Sequence, residues 1–94
     1  MEYTVIHHLK SKRFEILLDN GQFAFLEYDE INIGLNFTHT FVPSGFEGKG
    51  IAAVLVQFGL EYVRKNNLLV MPSCSYVATY IERHPEFKNL VVQI

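Results

Sequence analysis

At Gly48 the hydrophobic rhythm of this chain changes, and that change limits the folds open to it. Before it, apolar side chains recur at every second position. Ile31, Ile33, Leu35, Phe37 and Phe41 alternate with smaller or more polar residues, the pattern of an extended strand with one buried face. After it, Ile51, Val54, Leu55, Phe58 and Tyr62 follow helical spacing. Neither apolar face can stay in water, so the helix has to fold back over the strands.

The rest of the chain fits that pair of layers. Residues 3–9 read as a first strand and Lys10-Ser11-Lys12 as a turn. Residues 13–18 put Phe14, Ile16 and Leu18 on one face and Arg13 and Glu15 on the other. Asp19-Asn20-Gly21-Gln22 predicts a hairpin with Asn-Gly at the centre of a two-residue loop. Residues 22–28 return as a strand apolar on both faces, hence central. Asp29-Glu30 is the expected next turn. An extended run over 31–42 would span about 40 Å at ~3.3 Å per residue. A domain of this length has a radius of gyration of about 12 Å. A bend or bulge is therefore expected inside the run, at Gly34 or in Thr38-His39-Thr40.

Pro43-Ser44-Gly45 closes that run. The first helix ends near Arg64 and Lys65, with Asn66-Asn67 as its stop. Leu68-Leu69-Val70-Met71 is a short buried strand ended by Pro72. A second helix is expected from Ser73 or Cys74 to Arg83, with Val77, Tyr80, Ile81 and His84 along one face and Pro85 closing it. Residues 90–94 read as a terminal strand. The order ββββαβαβ predicts a single α+β domain over residues 1–94. It consists of a mixed, mostly antiparallel sheet with two helices packed on it.

Composition narrows the class of function. The 94 residues include eight Phe and five Tyr, enough for one core. A formal charge of −2 exerts no pull on nucleic acid or anionic membranes. The single cysteine, Cys74, cannot form an intrachain disulfide. No apolar run approaches the roughly 18–20 residues of a membrane span, and Met1-Glu2-Tyr3 lacks the layout of a signal peptide. A cytoplasmic protein is expected. His7 and His8 point to opposite faces of a strand and have no partner at ligand spacing, so no metal site is expected.

Gly48-Lys49-Gly50 sits where a strand hands over to a helix. Glycine lets an anion approach the backbone, and the first amides of a helix are unpaired and lie at the positive end of its dipole. The turn is thus suited to a phosphate group. Lys49 would add a charge, and Glu47 opposes an anion unless it points away. A P-loop would need Ser or Thr after the lysine and an earlier glycine where Ser44 stands. Gly48-x-Gly50-x-x-Ala53 matches a dinucleotide fingerprint, but Met71-Pro72-Ser73 replaces the acidic residue expected after the next strand. Both alternatives are discarded.

With those removed, the chain resembles the GCN5-related N-acetyltransferase (GNAT) superfamily. Its pyrophosphate motif Q/R-x-x-G-x-G/A falls on Gly45-Phe46-Glu47-Gly48-Lys49-Gly50, with both glycines present and Gly45 in place of Gln or Arg. The chain is similar in particular to very small GNAT-like proteins. Those have a His-Thr strand end, a Gly-Lys-Gly loop, a Pro-x-Cys-x-Tyr-Val segment and a His-Pro-Glu-aromatic tail. Here these are His39-Thr40, Gly48-Lys49-Gly50, Pro72-Ser73-Cys74-Ser75-Tyr76-Val77 and His84-Pro85-Glu86-Phe87. The resemblance implies an acetyl-CoA-dependent N-acetyltransferase acting on an amine of a protein or a small molecule. Its alternative is a module that binds acetyl-CoA without turnover. It implies coenzyme contacts from Phe41, Val42, Gly45, Phe46, Glu47, Gly48, Lys49, Gly50 and Ile51, together with Cys74 and Tyr80.

Three side chains are candidates for the chemistry. Tyr80 would hydrogen-bond or protonate the coenzyme sulfur, or else be a packed aromatic. Cys74, at a helix N-terminus where the dipole lowers a thiol pKa, would be an acetylated nucleophile by resemblance, or a small residue lining the channel. His39 lies on the mainly apolar face of its strand. It would be the general base for the amine, or a satisfied core histidine. His84, before Pro85, reads as a helix-end residue.

Overall fold

The structure is a computed structural model that describes residues 3–93. Strands β1 (Ile6–His8), β2 (Arg13–Leu17), β3 (Phe23–Ile31), β4 (Gly34–Phe41) and β5 (Leu69–Pro72) form one sheet in that order. The first four pair antiparallel, and β5 lies parallel to β4. Helix α1 (Ile51–Lys65) makes the crossover between β4 and β5. Helix α2 (Ser75–Arg83) follows β5 and leads into a 3₁₀ segment (Pro85–Leu90).

Alternation decides which face is covered. Phe14, Ile16, Ala24, Leu26, Tyr28, Leu35, Phe37 and Val70 are buried on one side of the sheet, together with Ile51, Leu55, Val56, Leu60 and Val63 of α1. Each large side chain so removed from water contributes about 1.5–3 kcal/mol. The helix comes close because Gly59 has no side chain. A Cβ there would stand 2.9 Å from Phe37 Cζ and 3.0 Å from Leu26 Cδ2. Val77 and Ile81 of α2, with Phe87 and Leu90 of the 3₁₀ segment, extend the same core. On the opposite face Ile6, Leu17, Phe23 and Phe41 are exposed. Arg13 pairs there with Glu27 at 2.8 Å and covers the Phe25 ring. The result is the expected α+β arrangement, with one layer of helices.

Four details differ from the sequence reading, each for a local reason. Leu18 and Gln22 bracket a three-residue loop, Leu18 N–H donating to Gln22 O and Gly21 N–H to Leu18 O, where a two-residue loop was expected. Asp29 and Glu30 belong to β3, and the turn is Asn32-Ile33, closed by the Ile31–Gly34 pair. Neither turn residue has positive φ, so the turn needs no glycine and leaves no sequence mark. The predicted bulge is present at Thr38. Glu27 faces His39 while Tyr28 faces Phe37, leaving Thr38 as the extra residue. The terminal strand is reduced to one parallel bridge, Val70 to Val91, because the 3₁₀ segment occupies residues up to Leu90; Ile94 lies outside the described residues. Among those residues no helix is long and apolar enough to cross a membrane.

On the core side of β1, His7 stacks on its cross-strand partner Phe14 at 4.1 Å and meets Tyr62 edge-on at 4.6 Å. Its Nε2 lies 2.6 Å from the Tyr28 hydroxyl. Burial, and then the neighbouring His8, hold the imidazole below its ordinary pKa. The unfolded chain therefore takes up this proton more readily, and stability falls as pH drops below the unfolded value of about 6.5. Urea unfolding midpoints should decline between about pH 7.5 and about pH 5.5, and His7→Gln should flatten that slope. An unchanged slope would exclude His7 as its source.

Candidate functional site

β4 and β5 part company halfway along. Their ladder runs from Gly34–Leu69 to Phe37–Pro72 and stops, since Pro72 has no N–H to continue it and the bulge at Thr38 bends β4 away. One last backbone bond, Cys74 N–H to Phe37 O at 2.9 Å, closes the vertex. Beyond it β4 continues through Thr40 to Phe41 while the other arm turns into α2. The opening between the arms leads toward the N-terminus of α1.

That N-terminus is built to leave its donors free. Gly50 caps the helix at φ 79, ψ 11, and no side chain caps it. The first turn holds no acidic residue, so the amides of Ile51 and Ala52 have neither an internal partner nor a competing carboxylate. Gly48 is also left-handed, at φ 78, and an added Cβ at Gly48 or Gly50 would meet nothing within 4 Å. It is the backbone conformation, not crowding, that requires glycine. Glu47 is turned back on the loop, its Oε1 accepting from Gly45 N–H at 2.9 Å. A concavity of about 300 Å³ lies over this turn, lined by Val42, Phe46, Glu47, Gly48 and Gly50 and by Tyr76 of α2. Ile51 contributes its amide alone, since its side chain is in the core.

At the other end of the opening, Cys74 is the N-cap of α2 and is partly buried. Its Sγ lies 3.2 Å from Thr40 Oγ1. Burial pushes the thiol pKa up. The Thr40 hydroxyl, the first-turn amides of Val77 and Tyr76 and the Thr40 amide outweigh that, and the net shift is downward. Two residues that the sequence reading did not assign thus belong here. Thr40 touches the thiol across the opening, and Tyr76 lines the concavity. The sequence signal for both was their place in the motifs of the resemblance, His39-Thr40 and Pro72-Ser73-Cys74-Ser75-Tyr76-Val77.

Tyr80 and His39 are set apart from this pair. Tyr80 is buried on α2, its ring stacked on His84 at 3.9 Å, with His84 Nδ1–H donating to the Tyr80 carbonyl. Burial, then Glu86, Tyr76 and Glu61, raise its phenol pKa, so it stays a proton donor. His39 was expected beside Phe37 on the apolar face. The bulge at Thr38 turns it to the open face instead, where it is exposed and lies 6.0 Å from the Phe25 ring, near Phe41. Gly45 stays in the turn at φ 92. Lys49 is exposed and makes no ion pair among the described residues. Its side chain faces the neighbouring cavity on the other side of Phe46.

The parallel β4–β5 pair thus opens in front of the glycine-capped N-terminus of α1. The sequence profile of the GCN5-related N-acetyltransferase family matches residues 13–90, and the chain belongs to that family. It is 31% identical over 84 residues to Protein NATD1 of Xenopus tropicalis, covering 86% of this chain and 76% of that one. Protein NATD1 of Homo sapiens is 30% identical, with 86% and 74% covered. The solution structure of a GCN5-like protein from Staphylococcus aureus superposes with a TM-score of 0.75 at 24% identity, covering 97% of this chain and 89% of the other. That likeness bears on the fold.

Proposed function

We propose that the protein is an acetyl-CoA-dependent N-acetyltransferase, with an amine of a protein or a small molecule as acceptor. The observation that carries this reading is the pairing of two ends of one opening: free first-turn amides at Ile51 and Ala52 and a thiol of lowered pKa at Cys74, 3.2 Å from the Thr40 hydroxyl. The amides would hold the diphosphate, and the opening between β4 and β5 would take the pantetheine arm. The Cys74 thiolate would attack the acetyl carbonyl. The C–S bond to the coenzyme then breaks, and the leaving thiolate takes a proton, for which Tyr80 is the candidate donor. An ammonium that has lost one proton to His39 or to water next attacks the acetyl-cysteine thioester as the neutral amine; the C–S bond to Cys74 breaks, the thiolate is restored, and the surplus amine proton passes through water to the Tyr80 phenolate. A free Cys74 thiol suits the reducing cytoplasm.

Titration of ¹⁵N-labelled protein with acetyl-CoA should shift the amides of residues 45–51 first, and an amine panel should include an acceptor that releases free coenzyme thiol. Saturating acetyl-CoA that leaves those amides unmoved would overturn the proposal. A second reading, coenzyme binding without turnover, draws on the exposed sheet face around His39 and Phe41, which no described element covers. Tight binding with no thiol released by any amine would select it.

A further inference from the structure

The face of the sheet that carries no helix has a pattern of its own. Leu17 lies opposite Phe23, and Phe25 opposite Phe41. Leu17, Phe23 and Phe41 are exposed, and the Phe25 and Phe41 rings are 5.3 Å apart. Glu27 and Asp29 follow Phe25 at alternate positions of β3, on this same face. Arg13 pairs with Glu15 and Glu27, whereas the exposed Asp29 joins no ion pair among the described residues. An apolar patch with a charged margin is the anatomy of a protein-docking surface. The face is also flat: cavities of about 520, 430 and 300 Å³ leave out Phe23, Asp29, His39 and Phe41. A small amine held by itself needs a concavity.

The patch adjoins the opening, because β4 carries His39 and Phe41 on this face and is one arm of it. Thr40, between them, turns to the other face and touches Cys74 Sγ at 3.2 Å. A gap between two strands has a mouth on each face. An amine docked on the open face reaches the thiol through that gap on a narrow, extended stem, and lysine has an unbranched one of four carbons. We infer that the acceptor is a lysine side chain on an extended segment of a partner protein laid along β4, an assignment that rests on the acetyltransferase reading above. Residues two apart share one face of an extended chain at about 6.6 Å, the spacing of His39 and Phe41. With the lysine at His39, an apolar residue two positions to one side covers Phe41 and Phe23. A basic residue on the other side meets Asp29. The lysine Nζ, neutral after giving one proton to His39 or water, forms the C–N bond as the C–S bond to Cys74 breaks. Its surplus proton passes through water to the Tyr80 phenolate. A second copy of this chain fits the face less well, since it brings Glu15, Glu27 and Asp29 against the same three carboxylates.

The test measures coenzyme thiol released from acetyl-CoA with four probes. They are Nα-acetyl-lysine amide and three N-terminally blocked peptides: Gly-Phe-Gly-Lys-Gly-Arg-Gly, the same residues in reverse order, and a control with glycine replacing Phe and Arg. One of the two ordered peptides should exceed the control in kcat/KM at least about tenfold, the size expected from covering one aromatic side chain. Phe23→Ser should remove most of that gain and Asp29→Asn its salt-sensitive part, with the rate on Nα-acetyl-lysine amide unchanged. In ¹⁵N-labelled protein the amides of Phe23 and Asp29 should shift with the preferred peptide and stay still with the control. Equal kcat/KM for all four probes with those two amides unmoved overturns this inference, as does no thiol from any of them. Self-association in sedimentation that Phe23→Ser abolishes also overturns it and gives the patch to a second copy. In each of these cases acetyl-CoA that still shifts residues 45–51 keeps the coenzyme site, and thiol release with other amines keeps the acetyltransferase reading. Acetyl-CoA that leaves 45–51 unmoved removes both.

Discussion

Gly34→Ala should lower the midpoint of thermal unfolding by at least about 12 °C, the equivalent of roughly 3 kcal/mol in a domain of this size. A Cβ at Gly34 would stand 1.8 Å from the carbonyl oxygen of Leu69 and 2.7 Å from its backbone C and N. Gly34 does not have positive φ, so alanine suits its backbone conformation and the whole effect is the collision. The obstructing atoms are main chain and cannot rotate aside. Leu69 is also held on the other side, its N–H donating to Ile33 O at 2.9 Å. Relief requires β5 to move away from β4 at the first pair of their ladder, which would also shift the vertex at Phe37 and Pro72. Gly59→Ala is the contrasting case. Its closest contacts, at 2.9 and 3.0 Å, are the tips of Phe37 and Leu26, which can move, and the helix gains about 1 kcal/mol of propensity. Circular dichroism melts of the two variants should therefore separate widely, with Gly34→Ala much the lower. If Gly34→Ala melts within about 4 °C of the wild type, under 1 kcal/mol, the close approach of β4 to β5 is wrong.

The contrast between those glycines also marks where sequence reasoning ends. Gly34 stood out in the sequence as a hinge in an overlong strand, yet its role is to let another backbone pass, and β5 lies far from it in sequence. What could be read was whatever repeats with a period. The buried face of β2, the start of α1 after Gly50 and the stretch of α2 all follow from apolar spacing that only one face can satisfy. The bulge was legible too, because a strand that long could not fit. Its consequence was not. One extra residue at Thr38 reverses every later side chain, so His39 moves to the open face and Thr40 turns inward to Cys74. The Asn32-Ile33 turn escaped because its backbone needs no special residue. Thr40 and Tyr76 escaped because contact across two elements leaves no trace in local spacing.

Incubation with acetyl-CoA and no amine should leave one acetyl group on the protein by intact mass, and Cys74→Ala should carry none. The expectation follows from what surrounds the sulfur. A half-buried thiol would ordinarily be a poor nucleophile, because removing the thiolate from water raises its pKa. Here the cap position opposes that penalty with the amides of Tyr76 and Val77, and Thr40 adds a hydroxyl at 3.2 Å. The net downward shift means that alkylation by iodoacetamide should reach half its limiting rate at a lower pH than a free cysteine does. Thr40→Val, which keeps the shape and removes the hydroxyl, should move that midpoint up. It should also slow acetylation about tenfold, the size expected for one hydrogen bond to a charged group. Cys74→Ser is a weaker probe, since its hydroxyl can cap the helix by itself. If Cys74→Ala still acetylates amines at the wild-type rate, the thiol only lines the channel. The amine then attacks the bound thioester directly, and the proton relay must be assigned without a cysteine intermediate.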